Sequence, residues 1–202
     1  MGLSKDNSQN GKKSFEHDYV SWLLNPYPRF DLIFNDSGLP EKLKAKEPQL
    51  KGVGEGQKEI PDSVGVAYDG ELIGGVTIVS FTNLRKMEPR NVYSRIDIVV
   101  VEKRWRGLGV SNLLLLLTLI QILRSFQESV YSISSLVAHG AIEYVLRNLG
   151  FVIEMRKEEL FSRCSLSLSS LRQVKSLIVD YRHQTAAAAE SVFHQLAHLK
   201  IG

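Results

Sequence analysis

Cysteine is almost absent from these 202 residues: Cys164 is the single thiol. One thiol excludes an internal disulfide and a zinc site built from several thiolates, and it suits a reducing compartment, so a cytoplasmic protein is expected. Long apolar runs are missing too. The longest block, Leu113 to Leu123, is broken by Thr118 and Gln121 and falls well short of the ~20 residues that cross a bilayer. The opening MGLSKDNSQNGKKS holds no apolar signal core, and Asp6 stands where a myristoylation motif takes Ser or Thr, so no membrane partner is expected. Charge of one sign is scarce as well. With 25 Lys and Arg against 22 Asp and Glu, the net charge of +3 is too even for the dense basic surface that grips nucleic acid, which is not expected as a partner. What remains is an ordinary globular composition, 44% hydrophobic and 23% charged, sufficient for one domain with a buried core.

Residues 1–13 read as a disordered tail. FEHDYVSWLLNPYPRFDLIFN follows, where Tyr19, Trp22 and Leu23 mark a short amphipathic helix stopped by Pro26 and Pro28. A second short helix is expected over Pro40 to Lys46. The stretch EPQLKGVGEGQKEIPDS reads as loop; its glycines lack the preceding strand and following helix of a dinucleotide fingerprint. SVGVAYDGELIGGVTIVSF is two strands joined at Asp69-Gly70, a hairpin signal, and VYSRIDIVVV is a third. Strict alternation along the third strand puts Ile96, Ile98 and Val100 on one face and Arg95, Asp97, Val99 and Val101 on the other.

SNLLLLLTLIQILRSF has helix length and is apolar almost all round, which implies burial on more than one side. SVYSISSLV reads as a strand, GAIEYVLRNLGF as a short helix closed by Gly150, and FVIEMRKEELF as a further strand. LSSLRQVKSLIVDYRHQTAAAAESVFHQLAHLK is one long or two consecutive amphipathic helices. The predicted fold class is α/β (α+β), one sheet with helices on its faces. Residues 14–162 form the domain, and 163–202 a C-terminal helical extension packed on it or on a partner subunit, so a homodimer is allowed for.

The stretch EKRWRGLGVSNLLLLL lets a strand feed a glycine turn that opens a helix. At such a junction the first amides of the helix point outward unpaired beside the positive end of its dipole, which suits phosphate. Gly107 and Gly109 remove side chains where an anion approaches the backbone, and Arg106 adds a charge that pairs with phosphate. The same glycines also serve a plain strand-to-helix corner.

The flanks of this turn resemble the acyl-CoA signature of the GNAT superfamily of N-acyltransferases: Arg or Gln, any two residues, Gly, any residue, then Gly or Ala. Counted from Arg106, the pattern falls on Gly109 and on Ser111, a small residue that departs from the usual Gly or Ala, and Val101, Trp105, Leu114 and Leu115 take the family's usual flanking positions. Counting from Arg104 meets Gly107 and Gly109 but loses those flanks. HGAIEYVLRNLGF is similar to the family's fourth motif in Gly150 and Phe151 only: Leu146 stands at the usual Tyr position, Ile142 at the Ala and His139 at the Asn. Tyr144 lies about 200° around the helix from Leu146 and should face away.

The resemblance spans about Ser63 to Phe161. It implies a GNAT-like central sheet, mixed and mostly antiparallel, flanked by helices, and acetyl-CoA or another acyl-CoA as cosubstrate. It also implies a pyrophosphate on the turn amides of Arg106, Gly107, Leu108, Gly109, Val110, Ser111 and Asn112, and pantetheine beside the splayed strand end at Val99, Val100 and Val101. The reaction implied is acyl transfer to a primary amine, of a small molecule or a peptide.

An amine with a pKa of about 8 to 10 must lose a proton before it attacks a thioester, and Asp97 is the candidate base. The alternative for Asp97 is a structural carboxylate paired with Arg95 or Arg90. With Leu146 in place of Tyr, the candidate acids for the leaving thiolate are His139, Ser134, Ser135 or water. Two further readings stay open: an acyltransferase fed by an acyl-carrier protein, and a non-catalytic acyl-CoA-binding or regulatory domain.

HQLAH sets His194 and His198 at zinc-pair spacing, but Gln195 replaces the metalloprotease Glu and no third ligand is evident, so no metal site is expected. Val192, Leu196 and Leu199 give that helix a face to pack on the core or a second subunit. Arg85, Lys86 and Arg90 in NLRKMEPR are candidates for an acidic group on the acceptor, or a solvated loop.

Overall fold

The computed structural model describes residues 23, 27–47, 62–82, 92–124, 131–137, 140–154 and 162–198. β1 (Phe30–Phe34) leads to helix α1 (Leu39–Lys46), and the hairpin β2 (Asp62–Tyr68) and β3 (Glu71–Thr82) is followed by β4 (Val92–Val101). A 3₁₀ turn (Lys103–Trp105) and helix α2 (Val110–Arg124) connect β4 to β5 (Tyr131–Val137). Helix α3 (Gly140–Asn148), β6 (Val152–Glu154), β7 (Ser162–Leu168) and helix α4 (Leu171–His198) complete the order. The seven strands form one sheet, β1-β2-β3-β4-β5-β7-β6. Only β4 and β5 run parallel; every other pair is antiparallel. This is the mixed, mostly antiparallel sheet with flanking helices and a C-terminal helix that the sequence implied.

Two strands escaped the sequence reading. β1 lies directly behind Pro26 and Pro28, in a segment read as a stopped helix, and it is an edge strand specified by pairing with β2 rather than by its own pattern. Its first residues are tied to the hairpin: the Asp69 amide donates to the Arg29 carbonyl at 2.8 Å, and the Arg29 guanidinium grips the Asp69 carboxylate. β7 fell inside the expected helical extension. It inserts between β5 and β6, and the helix begins at Leu171, three residues after the Leu168 at which the helical reading starts. Alternate residues Cys164, Leu166 and Leu168 are buried, and that two-residue period is what the strand needs.

The sheet buries two cores, one per face. The larger holds Val64, Val66, Val76, Ile78, Ile96 and Ile133 with α2, Leu146 and Leu149, and the inner face of α4. The smaller, on the opposite face, packs Leu39 and Leu43 of α1 against Ile98 and Val100. Ile96 therefore does not share a face with Ile98 and Val100, against the strict alternation expected. The cause is a β-bulge: Ile78 pairs with Ile96 and Thr77 with Ile98, which leaves Asp97 as the extra residue. Beyond it Val99 and Val101 turn to the main core.

The leucine block owes its all-round burial to α4, which lies along α2. Leu113 to Leu117 are at most 2% exposed, and each such side chain is worth roughly 1.5–3 kcal/mol of burial. Phe193 of α4 stacks on Phe30 with ring centroids 4.3 Å apart, and the buried Tyr181 hydroxyl donates to the Leu149 carbonyl at 2.6 Å. The helix α3 closes as expected: Gly150 has φ +89°, and the Phe151 amide reaches back to the Leu146 carbonyl at 3.0 Å.

Candidate active site

The parallel ladder of β4 and β5 pairs Val92 with Tyr131 through Ile96 with Ser135, and ends there. β5 continues along β7, pairing Leu136 with Arg163 and Val137 with Ser162, while β4 continues along β3 from Ile98 to Val101. The two parallel strands thus part at the bulge. Between them the backbone edge of β4 from Asp97 to Val101 has no strand partner among the described residues. An open stretch of strand edge beside buried β-structure is a template for an extended, amide-bearing ligand.

The turn after β4 is fixed from both sides. The Glu102 amide donates to the Ile73 carbonyl at 2.9 Å, the Trp105 amide to Glu102 at 2.9 Å and the Arg106 amide to Lys103 at 3.4 Å. Gly107 and Gly109 then adopt φ of +82° and +84°, the left-handed region that side chains resist. A Cβ on Gly107 would meet nothing within 4 Å, whereas one on Gly109 would stand 3.4 Å from Val192 on α4. The space on the Cβ side of Gly107 is open. α2 begins when the Leu113 amide takes the Gly109 carbonyl at 3.1 Å. The amides of Val110, Ser111 and Asn112 precede that first bond and have no intrahelical acceptor. Arg106 differs from the expectation for the turn amides: its own N–H is turned inward to Lys103.

Arg104 and Arg106, two basic residues of the turn, already have acidic partners. The Arg106 guanidinium donates through Nε to the Val101 carbonyl at 2.8 Å and through Nη2 to Glu47, which follows α1. Glu102 accepts from Lys46 Nζ at 2.8 Å and from Arg104 Nε at 3.0 Å, and Arg104 also pairs with Glu71. Glu47, Lys46 and Glu102 were not singled out from the sequence. Nothing in a loop-bound Glu or a helix-terminal Lys announces a contact across 59 or 56 residues.

No family model matches this chain, and no curated protein matches it. Solved structures are similar to it. A mutant of the AtaT toxin bound to the C-terminus of the antitoxin AtaR is 11% identical over 74% of this chain and 98% of that one, with a TM-score of 0.49. The acetyltransferase yncA from Salmonella typhimurium, described as putative and solved with its cofactor acetyl-CoA, is 12% identical over 70% and 94%, with a TM-score of 0.46. An acetyltransferase of the GNAT family from Streptococcus pneumoniae is 15% identical over 69% and 98%, at 0.47.

Asp97 sits where β4 and β5 part. Its Oδ1 accepts from Arg95 Nε at 2.9 Å, and its side chain is 13% exposed. The buried residues Ser94 and Ile96 flank Arg95, so Arg95 and the carboxylate it holds lie on the face opposite the main core. Asp97 therefore does not share a face with Val99 and Val101, as regular alternation would require; the bulge has separated them. Ser134 pairs in register with Arg95 and is half-buried. Ser135 is buried, and its Oγ donates to the Ile96 carbonyl at 3.3 Å. Leu146 is fully buried in the main core, and Tyr144 is 67% exposed, facing away as expected. His139, Arg85, Lys86 and Arg90 lie outside the described residues.

Two further groups fall away from the turn's chemistry. Burial, with the Glu143 carboxylate adding to it, pushes the Cys164 thiol above its ordinary range, so it stays protonated and inert at neutral pH. His194 and His198 are exposed with Nε2 atoms 3.2 Å apart, and no group of three potential metal ligands occurs among the described residues. No helix among the described residues is long and apolar enough to cross a membrane.

Proposed function

We propose that the protein is an N-acyltransferase that moves an acetyl or other short acyl group from acyl-CoA to a primary amine. The observation that carries this reading is the wedge between β4 and β5 opening beside a glycine turn at the N-terminus of α2. The donor's pyrophosphate fits the outward amides from Gly107 to Asn112, where the α2 dipole adds positive potential and Gly107 leaves the approach clear. Its pantetheine arm fits the open edge of β4 at Val99, Val100 and Val101, bonding as an added strand would. Acyl-CoA supplies an activated carbonyl on a thiolate leaving group.

The chain's residues then have three tasks. They align the thioester against β4, they take a proton from the incoming amine, and they steady the departing thiolate. Asp97 takes the second, because it is the one carboxylate among the described residues set at the parting of the strands. For the third, Leu146 is buried and aliphatic. Ser134, beside Arg95 at the last rungs of the parallel ladder, is a described hydroxyl placed where the strands part, and water serves otherwise.

The absence of a tyrosine at position 146 favours a second reading, a domain that binds acyl-CoA without turning it over. Calorimetric titration with CoA tests both together: Gly109→Arg should abolish binding, and no binding of the wild type at millimolar CoA would sink both. Thiol release from acetyl-CoA over a panel of amines separates them, since only the enzyme releases CoA faster with an acceptor present. Parallel reactions with acyl-carrier protein identify the donor.

A further inference from the structure

We propose that Arg106 is a positioning residue, not a phosphate ligand: Glu47 and the Val101 carbonyl hold it as a clasp that sets the turn amides. The proposal rests on the acyl-CoA reading of the turn and assigns a role within it. A guanidinium offers its donors in a rigid planar fork. Here the Nε edge is spent on the Val101 carbonyl at 2.8 Å, and Nη2 on the Glu47 carboxylate. The first bond caps the exit of β4; the second fastens the turn to α1.

Glu47 is well placed to be the fixed partner. Its side chain is 18% exposed against 51% for Arg106, and its amide takes the Leu43 carbonyl at 3.2 Å, so it continues the last turn of α1. α1 is anchored in turn by Leu39 and Leu43, both fully buried against Ile98 and Val100 of β4. The preceding residue repeats the arrangement, with Lys46 held by Glu102 at 2.8 Å and Glu102 by Arg104 at 3.0 Å. Two consecutive residues at the end of α1 therefore grip the turn at Glu102 and at Arg106. Together they determine where the chain starts its left-handed passage through Gly107.

The electrostatic consequence separates this role from direct recognition. A phosphate drawn to Arg106 would also meet the Glu47 carboxylate, which repels it. The anion is then left to the amides and the helix dipole, and the guanidinium acts on it only through backbone placement.

Glu47→Gln and Arg106→Gln, alone and together, decide the matter by the sign of the effect. For a clasp, each single change weakens CoA binding roughly tenfold, the scale of one charge-assisted hydrogen bond. The double change is then no worse than Arg106→Gln alone, because that variant has already lost the Glu47 contact together with the bond to Val101. If Arg106 reaches phosphate, Glu47→Gln instead releases it and tightens binding while Arg106→Gln alone weakens it; that outcome overturns the proposal.

Hydrogen exchange in the free protein supplies a readout that does not depend on CoA. Faster exchange at the hydrogen-bonded amides of Glu102, Trp105, Arg106 and Leu113 in both single variants, with α4 amides unchanged, supports the clasp, and unchanged exchange at these amides refutes it. Should the wild type fail to bind CoA, the acyl-CoA reading falls while the exchange measurement still judges the clasp.

Discussion

The Asp97 carboxylate is held by Arg95, Nε to Oδ1 at 2.9 Å, on the residue where β4 bulges and β5 departs. That coincidence leaves the Asp97 side chain mostly shielded, charge-paired and adjacent to an open backbone edge. In the proposed reaction Asp97→Asn keeps the shape and removes the proton acceptor. Turnover should fall by about 10²-fold or more, the lower range for general bases, with CoA affinity little changed. Thiol release under saturating acetyl-CoA and amine measures it, and an unchanged rate would strip Asp97 of the role.

Gly107 and Gly109 share a backbone conformation but not a neighbourhood. Alanine at either position meets the left-handed strain of about 1–2 kcal/mol. At Gly109 the added methyl meets Val192 at 3.4 Å, ordinary van der Waals contact, and at Gly107 it meets nothing within 4 Å. Gly109→Ala and Gly107→Ala should therefore lower the melting temperature by similar amounts, set by the backbone strain. Larger side chains at Gly107 point into open space, so Gly107→Val should cost CoA affinity out of proportion to its melting shift. Equal losses of stability and affinity in both series would mean that the space before Gly107 receives no ligand.

Much of this arrangement was legible in the residues. The hairpin at Asp69-Gly70, the leucine helix and the Gly150 stop each combine local geometry with a matching pattern, so periodicity and turn chemistry sufficed. Asp97 was found by its place near a strand end. The bulge that gives it its setting was not, because alternating residues 94, 96, 98 and 100 look the same in sequence whether or not the strand changes faces. β1 and β7 are short and depend on neighbours for their pairing. The Glu47 contact with Arg106 is likewise invisible, since it exists only once α1 has packed on β4.

Tyr181 offers a test of the α4 anchorage through pH. Burial first, and then the neighbouring Asp180 charge, push its phenol up to about 12 from an ordinary 10. A folded value above the unfolded one means the stabilisation is whole below pH 10 and drains away as pH climbs towards 12. Tyr181→Phe loses the 2.6 Å bond to the Leu149 carbonyl, at about 0.5–1.5 kcal/mol, yet carries no titration. At pH 7 the variant should melt earlier than the wild type, and between pH 10 and 12 its melting temperature should decline less steeply. Parallel declines would show that the phenol ionises as easily in the folded protein as in the unfolded chain.

Phe193 connects the C-terminal helix to both the first strand and the turn. It is fully buried, stacks on Phe30 at 4.3 Å and tilts against Tyr27 at 4.9 Å, while the preceding Val192 reaches Gly109. Phe193→Ala should cost about 3–5 kcal/mol, typical of an aromatic removed from a packed core. Its effect should also be local in character: with the end of α4 loosened, the Gly109 side of the turn loses its backing, and CoA binding should weaken in conditions where the protein is still folded. Leu171→Ala, at the other end of the same helix and 42% exposed, is the matched control, expected to stay within about 0.5 kcal/mol and to bind as the wild type does. If Phe193→Ala destabilises the chain but leaves CoA affinity intact, α4 is a cover for the leucine helix alone and takes no part in shaping the turn.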